Sequence, residues 1–270
     1  MSSYFRPFSS VLIALLALLP DVQAQDAAPA GTRRLELSLN GITREALVYA
    51  PPSAQTAPTP VVFAFHGHSG SAANAAREYG MEREWPEAIT VYMQGLKTPG
   101  RFIDPEGKQT GWQMKPGDQG DRDLKFFDAV LARLKQDYQV NGKRIYAFGH
   151  SGGGYFTYLL WATRGDVLAA VAPMSSEAAE NLPALKPKPV LLLAGEKDGR
   201  VKYEWVRRSM NALRELNGCS AEGTAWGEHC TLFPSTTGNP VVEFVHPGGH
   251  EVPKGAIAAI ARFFRENPEK

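Results

Sequence analysis

Short apolar runs alternate with amphipathic helical stretches along most of this 270-residue chain. Strands are predicted at residues 34–39, 44–49, 60–65, 89–92, 145–148, 168–172, 190–193 and 241–246. Helices are predicted at residues 72–79, 123–137, 155–163, 203–216 and 255–265. Strands that alternate with helices build a parallel sheet that is covered on both sides. The pattern therefore predicts an α/β fold with a mostly parallel twisted sheet and helices on both faces.

Two segments depart from this simple alternation. Residues 34–39 alternate with period two and lead into Asn40-Gly41, which favours a hairpin turn into residues 44–49. Residues 95–121 are rich in Gly and Pro and leave a predicted strand at its carboxyl end. Ligands bind at that edge of an open α/β sheet, so we expect this long segment to form a wall or lid of the site.

The amino terminus has the three-part pattern of a secretory signal peptide. Arg6 precedes an apolar run at residues 11–19, which is too short to span a bilayer, and small residues follow up to Ala24. We expect a signal peptide at residues 1–24 with cleavage near Ala24, a linker at residues 25–32 and a single domain at residues 33–270. The mature protein is then secreted or periplasmic and has no membrane anchor.

The charge balance narrows the class of partner. Twenty-nine basic and 28 acidic residues give a formal net charge of +1, and no basic run could follow a phosphate backbone. We therefore expect neither a nucleic acid partner nor attraction to an anionic membrane. A small or oligomeric substrate with little charge fits this composition better.

The chain has two cysteines, Cys219 and Cys230. Export to an oxidising compartment favours a disulfide between them, with a free pair as the alternative. The segment that contains them joins the lower end of a helix to the start of the last strand. We expect it to lie opposite the active site, so that the disulfide is structural.

Ser151 lies at the centre of a G-x-S-x-G pentapeptide between a predicted strand and a predicted helix. A sharp turn from strand to helix lifts the central side chain clear of the sheet, and Gly149 and Gly153 leave room for that turn. The motif predicts a nucleophilic serine.

A serine nucleophile needs a base and a carboxylate that holds the base in the right tautomer. Asp198 follows the strand at residues 190–193, and His250 follows the strand at residues 241–246. The order Ser, Asp, His is that of α/β-hydrolases. Glu196 is an alternative acid and His246 an alternative base. We favour Asp198 because Val201 can pack downward and fix the loop.

The oxyanion of the tetrahedral intermediate needs two N–H donors. We expect one from Gly152 and the other from His68, with Ser69 as the alternative. The side chains of His66 and His68 could ligate a metal, but no third ligand stands at a companion spacing, so we predict neither a metal nor a cofactor. Trp112 is either a core anchor or an aromatic wall for the acyl group.

With these residues in view, the chain resembles the secreted polyhydroxybutyrate-depolymerase and feruloyl-esterase group of α/β-hydrolases, in the carbohydrate-esterase-like branch. The resemblance runs from about Arg33 to the last helix. It is carried by the following segments: His66-Gly67, Gly111-Trp-Gln113, residues 144–154, residues 169–173, the loop at Asp198, Asn217-Gly-Cys219 and Gly248-Gly-His250.

The resemblance implies a Ser151–Asp198–His250 triad that attacks feruloyl, acetyl-xylan or hydroxyalkanoate esters. Two positions depart from the pattern: His68 replaces a frequent cysteine, and Glu251-Val-Pro253 replaces a frequent tryptophan-proline. We expect a secreted serine carboxylesterase that acts on soluble esters or oligomers through an acyl-enzyme. The alternatives are an exported serine peptidase of the same fold and a hydrolase-fold binding protein without catalysis.

Overall fold

The computed structural model describes Met1, residues 29–100 and residues 103–268, so the predicted cleavage site near Ala24 lies outside the described residues. The strands are β1 (Thr32–Leu39), β2 (Ile42–Tyr49), β3 (Thr59–Phe65), β4 (Ile89–Met93), β5 (Leu96–Lys97), β6 (Thr110–Gly111), β7 (Val140–His150), β8 (Ala170–Met174), β9 (Val190–Gly195), β10 (Thr224–Gly227), β11 (Cys230–Phe233) and β12 (Val241–His246). The α-helices are α1 (Ala72–Tyr79), α2 (Met81–Glu84), α3 (Arg122–Asp137), α4 (Gly152–Arg164), α5 (Tyr203–Leu216) and α6 (Ala256–Glu266).

Ten of these strands form one sheet in the order β1-β2-β4-β3-β7-β8-β9-β12-β11-β10. The six central strands, from β4 to β12 in that order, pair in parallel. The outer strands at both edges pair antiparallel. The predicted mostly parallel α/β-hydrolase sheet is therefore confirmed, with an antiparallel extension at each edge.

The sheet separates two apolar layers. Along β3, the side chains of Val61, Phe63 and Phe65 enter one layer and those of Val62 and Ala64 enter the other, as the two-residue period of a strand requires. Helices α3, α4 and α5 contribute to the first layer, and α1, α2 and α6 to the second. Every residue of β3 is buried, and burial of a Phe side chain such as Phe63 stabilises a fold by about 1.5–3 kcal/mol.

Several local predictions match the structure closely. Asn40 and Gly41 both have positive φ angles, 52° and 78°, and join β1 to β2 as a tight hairpin. Helices α1 and α5 have the predicted bounds. Strand β8 begins at Ala170, two residues after the predicted start, because the Leu168 N–H closes a turn onto the Gly165 carbonyl.

The predicted disulfide is wrong, because Cys219 and Cys230 are both free thiols. Cys219 pairs with Ser235, whereas Cys230 opens β11, five positions before Ser235. At about 3.3 Å per residue, this places the two cysteines roughly 16 Å apart, far beyond the Cα separation of about 7 Å that a disulfide allows.

The cysteine segment also differs from prediction in its position. It folds into the β10–β11 hairpin, and Cys230 lies opposite Phe244 near the carboxyl end of β12. The Val245 N–H donates to the His229 carbonyl at that same end. The hairpin turn therefore lies at the carboxyl edge of the sheet and not opposite the predicted site.

Candidate active site

Ser151 occupies the sharp turn between β7 and α4. Its φ of 53° and ψ of −116° are a strained combination for a residue with a side chain, and its N–H donates to the Met174 carbonyl at 2.9 Å. A Cβ on Gly149 would lie 2.5 Å from the Gly153 backbone, and one on Gly153 would lie 2.2 Å from the Phe65 carbonyl oxygen. Glycine is therefore required at both positions, as the pentapeptide predicts.

The structure brings Ser151, His250 and Asp198 into one hydrogen-bonded chain. His250 Nε2 lies 2.9 Å from Ser151 Oγ, and His250 Nδ1 lies 2.6 Å from Asp198 Oδ2. The carboxylate can only accept, so Nδ1 carries the proton and Nε2 is free to accept the serine proton. This is the tautomer that a general base requires.

The Asp198 carboxylate is itself held in place by the loop after β9. Its Oδ1 accepts from the N–H groups of Arg200 and Val201 at 2.8 and 2.9 Å. Its side chain is 1% exposed, and the side chain of Val201 is buried in the hydrophobic core. The expectation that Val201 packs downward and fixes this loop is confirmed.

The alternative acid and base are not brought to Ser151. Glu196 is exposed, and its backbone N–H pairs with the His246 carbonyl. His246 is buried, and its Nδ1 accepts from the Gly248 N–H at 3.2 Å, which ties it to the turn before His250. The Glu251 carboxylate accepts from its own backbone N–H and from the Gly249 N–H in the same turn, and these bonds hold the pKa of its carboxyl below the usual value. His246 and Glu251 therefore stabilise the turn that leads to His250.

Two backbone N–H groups lie close together beside Ser151. Gly152 is the first residue of α4, so its N–H has no partner within the helix. A Cβ on Gly152 would lie 3.1 Å from the His68 nitrogen. The Ser69 N–H donates to the Thr110 carbonyl at 2.7 Å, whereas no described residue accepts from the His68 N–H. The geometry thus favours His68 over Ser69 as the second donor.

His66 is an internal brace of the loop that follows β3. Its Nε2 accepts from the Gly95 N–H at 3.0 Å, so its Nδ1 donates to the Gly67 carbonyl at 2.7 Å. Burial lowers the pKa of His66 to about 4, and the ring stays neutral. Both ring nitrogens are occupied. Within the described ranges, no three His, Cys, Asp or Glu side chains are grouped to hold a metal ion.

Trp112 is both packed into the core and placed at the cavity beside Ser151. Its Nε1 donates to the His66 carbonyl at 2.8 Å, and its ring stacks on Phe156 with centroids 5.2 Å apart. Only 3% of the residue is exposed, yet it lines the cavity at Ser151. It therefore anchors the wall to the core, and its role as a wall for the acyl group stays a prediction.

A cavity of about 560 Å³ opens beside Ser151. Its apolar lining comes largely from the wall segment (residues 95–121) and α4, and includes Ile103, Trp112, Met114 and Tyr155. A second cavity of about 530 Å³ lies on the α1 side of His250, and Arg200 borders both. The two cavities also share His68, His150 and His250 in their lining, so they adjoin at His250.

Sequence reasoning missed three side chains that surround this constellation. The His150 ring lies against His250, with centroids 4.8 Å apart, and burial lowers its pKa to about 4. Arg200 is exposed at the rim, and Asp104 contacts His68 at 3.2 Å. The position of Arg200 could have been inferred from its place in the acid loop, but nothing local in the sequence links Asp104 to His68.

The far end of the wall is clamped by a buried ion pair between Arg44 and Asp123, 2.8 Å apart. Asp123 also accepts from the Gln113 N–H, and the Gln113 side chain accepts from the Asp123 N–H. These bonds fix the residue that follows Trp112. The wall is thus tied both to the sheet and to the start of α3.

Comparison with known proteins agrees with this geometry. The chain is 28% identical over 241 residues to the protein named "Putative esterase NocK" of Nocardia uniformis subsp. tsuyamanensis, with 84% of this chain and 63% of that protein covered. It is 25% identical over 265 residues to "Probable feruloyl esterase C" of Aspergillus clavatus, with 93% of each covered. The chain is therefore similar along most of its length to proteins named esterase and feruloyl esterase.

Solved structures show the same fold. The acetyl xylan esterase from Aspergillus awamori superposes with a TM-score of 0.66 at 12% identity, covering 86% of this chain and 99% of that one. No family model matches the chain. The chain spans less than two thirds of the Nocardia relative but almost all of the Aspergillus clavatus relative. No helix in the described part of this chain is long and apolar enough to cross a membrane.

Proposed function

We propose that this protein is a serine carboxylesterase that works through an acyl-enzyme formed on Ser151. The observation that carries the proposal is the unbroken chain from Ser151 Oγ through the His250 ring to the Asp198 carboxylate, at 2.9 and 2.6 Å. Such a chain activates a hydroxyl that is otherwise a poor nucleophile.

In the first half-reaction His250 Nε2 takes the Ser151 proton while Oγ attacks the ester carbonyl carbon. The carbonyl oxygen becomes an oxyanion, which accepts from the Gly152 and His68 N–H groups. The tetrahedral intermediate collapses, the bond to the alcohol oxygen breaks, and His250 gives its proton to the departing alcohol. Asp198 stabilises the imidazolium throughout without taking its proton.

In the second half-reaction a water molecule replaces the alcohol. His250 Nε2 takes one water proton, and the hydroxide attacks the acyl carbonyl on Ser151. The second tetrahedral intermediate collapses, the carboxylic acid leaves, and the proton returns to Ser151 Oγ. The same two amides serve both intermediates, so His68 and Gly152 act on each step.

The cavity beside Ser151 supports the substrate class. Its volume of about 560 Å³ and its Ile103, Trp112 and Met114 lining suit an aromatic or short apolar acyl group. We propose feruloyl-type and acetyl-xylan-type esters as substrates, with short hydroxyalkanoate esters as a further candidate. The amino-terminal pattern supports export, and amino-terminal sequencing of the purified protein would test cleavage near Ala24.

Ser151→Ala tests this proposal, because it should abolish hydrolysis of 4-nitrophenyl esters and labelling by a fluorophosphonate probe. Full activity in the variant would overturn it. Absence of labelling in the wild-type protein would instead favour the non-catalytic binding protein. Methyl ferulate, acetylated xylan and hydroxybutyrate oligomers would then rank the acyl groups, and a peptide substrate would test the peptidase.

A further inference from the structure

His68 is the residue through which the oxyanion loop, here residues 66–70, meets both the reacting centre and the wall segment. Its backbone nitrogen lies beside Gly152, where the proposed function places the oxyanion. Its side chain points the other way, and Nε2 lies 3.2 Å from Asp104 Oδ2. The imidazole ring and the backbone N–H belong to the same residue, so a contact that restrains the His68 ring also restrains the position of the His68 backbone N–H.

The His68 ring is held between two glycines of the wall segment. A Cβ on Gly111 would lie 2.9 Å from His68 Nδ1, and one on Gly100 would lie 3.0 Å from His68 Cε1. The side chains of His68 and Asp104 are only 12% and 13% exposed. The imidazole therefore occupies a narrow slot whose end is closed by the carboxylate.

Asp104 is a fixed partner and not a mobile surface acid. Its Oδ1 accepts from the Lys108 N–H and its Oδ2 from the Gln109 N–H, at 2.9 and 2.8 Å. Its carbonyl accepts from the N–H groups of Gly100 and Gly107. The carboxylate is thus oriented by the turn that it closes, and its free lone pair faces His68.

Other bonds join the two segments on either side of His68. Trp112 donates to the His66 carbonyl, the Ser69 N–H donates to Thr110, and the Thr110 hydroxyl donates to the Gly70 carbonyl. Within the described part of the chain, the carboxylate of Asp104 is the one polar partner of the His68 side chain. Residues 66, 69 and 70 of the oxyanion loop are therefore held by bonds that do not involve Asp104. The side chain of His68 is held by Asp104 alone among the described polar groups.

We propose that Asp104 is a positioning residue for the oxyanion hole, which it serves by holding the His68 ring and thereby the His68 N–H. The inference rests on the proposed function, because it assigns a purpose to the same oxyanion donors. The structure also offers a rival reading, in which Asp104 only folds the wall turn at residues 104–109.

The two readings predict different kinetics. Removal of an oxyanion donor typically lowers kcat by about 10²–10³-fold, and a displaced donor should cost less. We expect Asp104→Ala and His68→Ala each to lower kcat for 4-nitrophenyl acetate by about 10- to 100-fold, with KM within about threefold. A trifluoromethyl ketone, which forms a tetrahedral oxyanion on Ser151, should bind more weakly by a similar factor.

A double-mutant cycle then asks whether Asp104 acts through His68. In the double variant the loss of kcat should equal that of the single variants, because both remove the same support. Asp104→Asn keeps an oxygen that can accept from the ring Nε2–H of His68, so this variant should retain most of the wild-type kcat. Gly111→Ala, whose new methyl group would push against the His68 ring, should reproduce the loss while both His68 and Asp104 keep their own side chains.

The matched control is Asp118→Ala, an acid of the same wall that bonds the Lys115 N–H but does not contact the oxyanion loop. It should leave kcat and inhibitor affinity unchanged. The proposal is overturned if Asp104→Ala changes only KM or thermal stability, or if the two single losses multiply in the double variant. Activity remaining in Ser151→Ala would overturn the proposed function instead, so the two failures are distinguishable.

Discussion

The Nε2 atom of His250 lies 2.9 Å from Oγ of Ser151, although the two residues are 99 positions apart in the chain. Ser151 follows β7, Asp198 follows β9, and His250 follows β12. These strands lie within a parallel block in the order β7-β8-β9-β12, so their carboxyl ends share one edge of the sheet. The topology alone therefore delivers the three side chains to one place, and the turns only adjust their distances.

Asp198→Asn should lower kcat by about 10³- to 10⁴-fold while leaving the fold intact. The amide nitrogen donates and cannot accept from His250 Nδ1. The imidazole would therefore carry its proton on Nε2, which faces Ser151, and could not act as a base. Steady-state hydrolysis of a 4-nitrophenyl ester, with circular dichroism as a check of folding, measures this effect.

The control for that experiment is Glu196→Gln, which changes the neighbouring exposed acid. We expect its kcat to stay within about twofold of the wild-type value, because Glu196 makes no contact with His250 in the described structure. A larger loss of kcat in Glu196→Gln than in Asp198→Asn would show that Asp198 is not the triad acid.

The sequence was sufficient for the central sheet and for the triad geometry because both depend on local signals. Buried parallel strands are apolar over their whole length, and a functional side chain directly after such a strand is easily located. Asp198 and His250 were found in this way. Strands β10 and β11 were missed because each spans four residues, and β10 is mostly exposed, so neither carries a clear apolar period.

Contacts between distant loops could not be predicted on the same basis. The prediction of a disulfide was wrong because the spacing of two cysteines along the chain does not specify strand register. In the observed register, Cys230 at the start of β11 lies far from Cys219. The contact of His68 with Asp104 and the pair of Arg44 with Asp123 join residues 36 and 79 positions apart. No local pattern of residues marks such partners, since the packing of the wall segment creates them.

The thiols give a direct chemical test of the corrected pairing. Denatured but unreduced protein should take up two iodoacetamide groups by mass spectrometry, because Cys219 and Cys230 are both free. In the native state Cys230 should react slowly, since burial raises its pKa to about 11 and little thiolate forms at pH 8. Recovery of an unmodified disulfide-linked chain would contradict this result.

Buried neutral histidines should make the fold sensitive to acid. Burial lowers the pKa values of His66 and His150 to about 4, well below the ordinary value of 6.5. Between pH 6.5 and 4 the unfolded chain binds a proton at each residue that the folded protein does not bind, so stability falls as the pH falls. Each histidine contributes about 1.4 kcal/mol per pH unit within that window.

Urea unfolding followed by tryptophan fluorescence at several pH values measures this slope. His150→Gln keeps a polar side chain of similar size but cannot titrate, so its slope between pH 6.5 and 4 should be shallower than that of the wild-type protein by about 1.4 kcal/mol per pH unit. An unchanged slope would show that His150 is not kept neutral by the fold.

Arg200 should influence which esters are preferred. Among the described residues that line the cavity at Ser151, it alone has a permanently charged side chain, and its backbone N–H is fixed by Asp198. A guanidinium group at the rim would attract an acyl chain that ends in a carboxylate. Wild-type protein should therefore hydrolyse 4-nitrophenyl hydrogen glutarate relatively better than the Arg200 variants do, with 4-nitrophenyl valerate as the uncharged reference of equal length.

In Arg200→Ala the ratio of kcat/KM for glutarate to that for valerate should fall by about fivefold, as expected for an ion pair worth about 1 kcal/mol. Arg200→Glu should lower the ratio further, because the new carboxylate repels the substrate, and 0.5 M salt should reduce both differences by screening. Arg207→Ala, which removes an exposed arginine of α5 outside the cavity lining, is the matched control and should leave the ratio unchanged. Equal ratios in the wild-type protein and Arg200→Glu would show that Arg200 has no part in selectivity. A fall in kcat/KM for the charged ester alone would show an electrostatic effect of Arg200 and not damage to the triad.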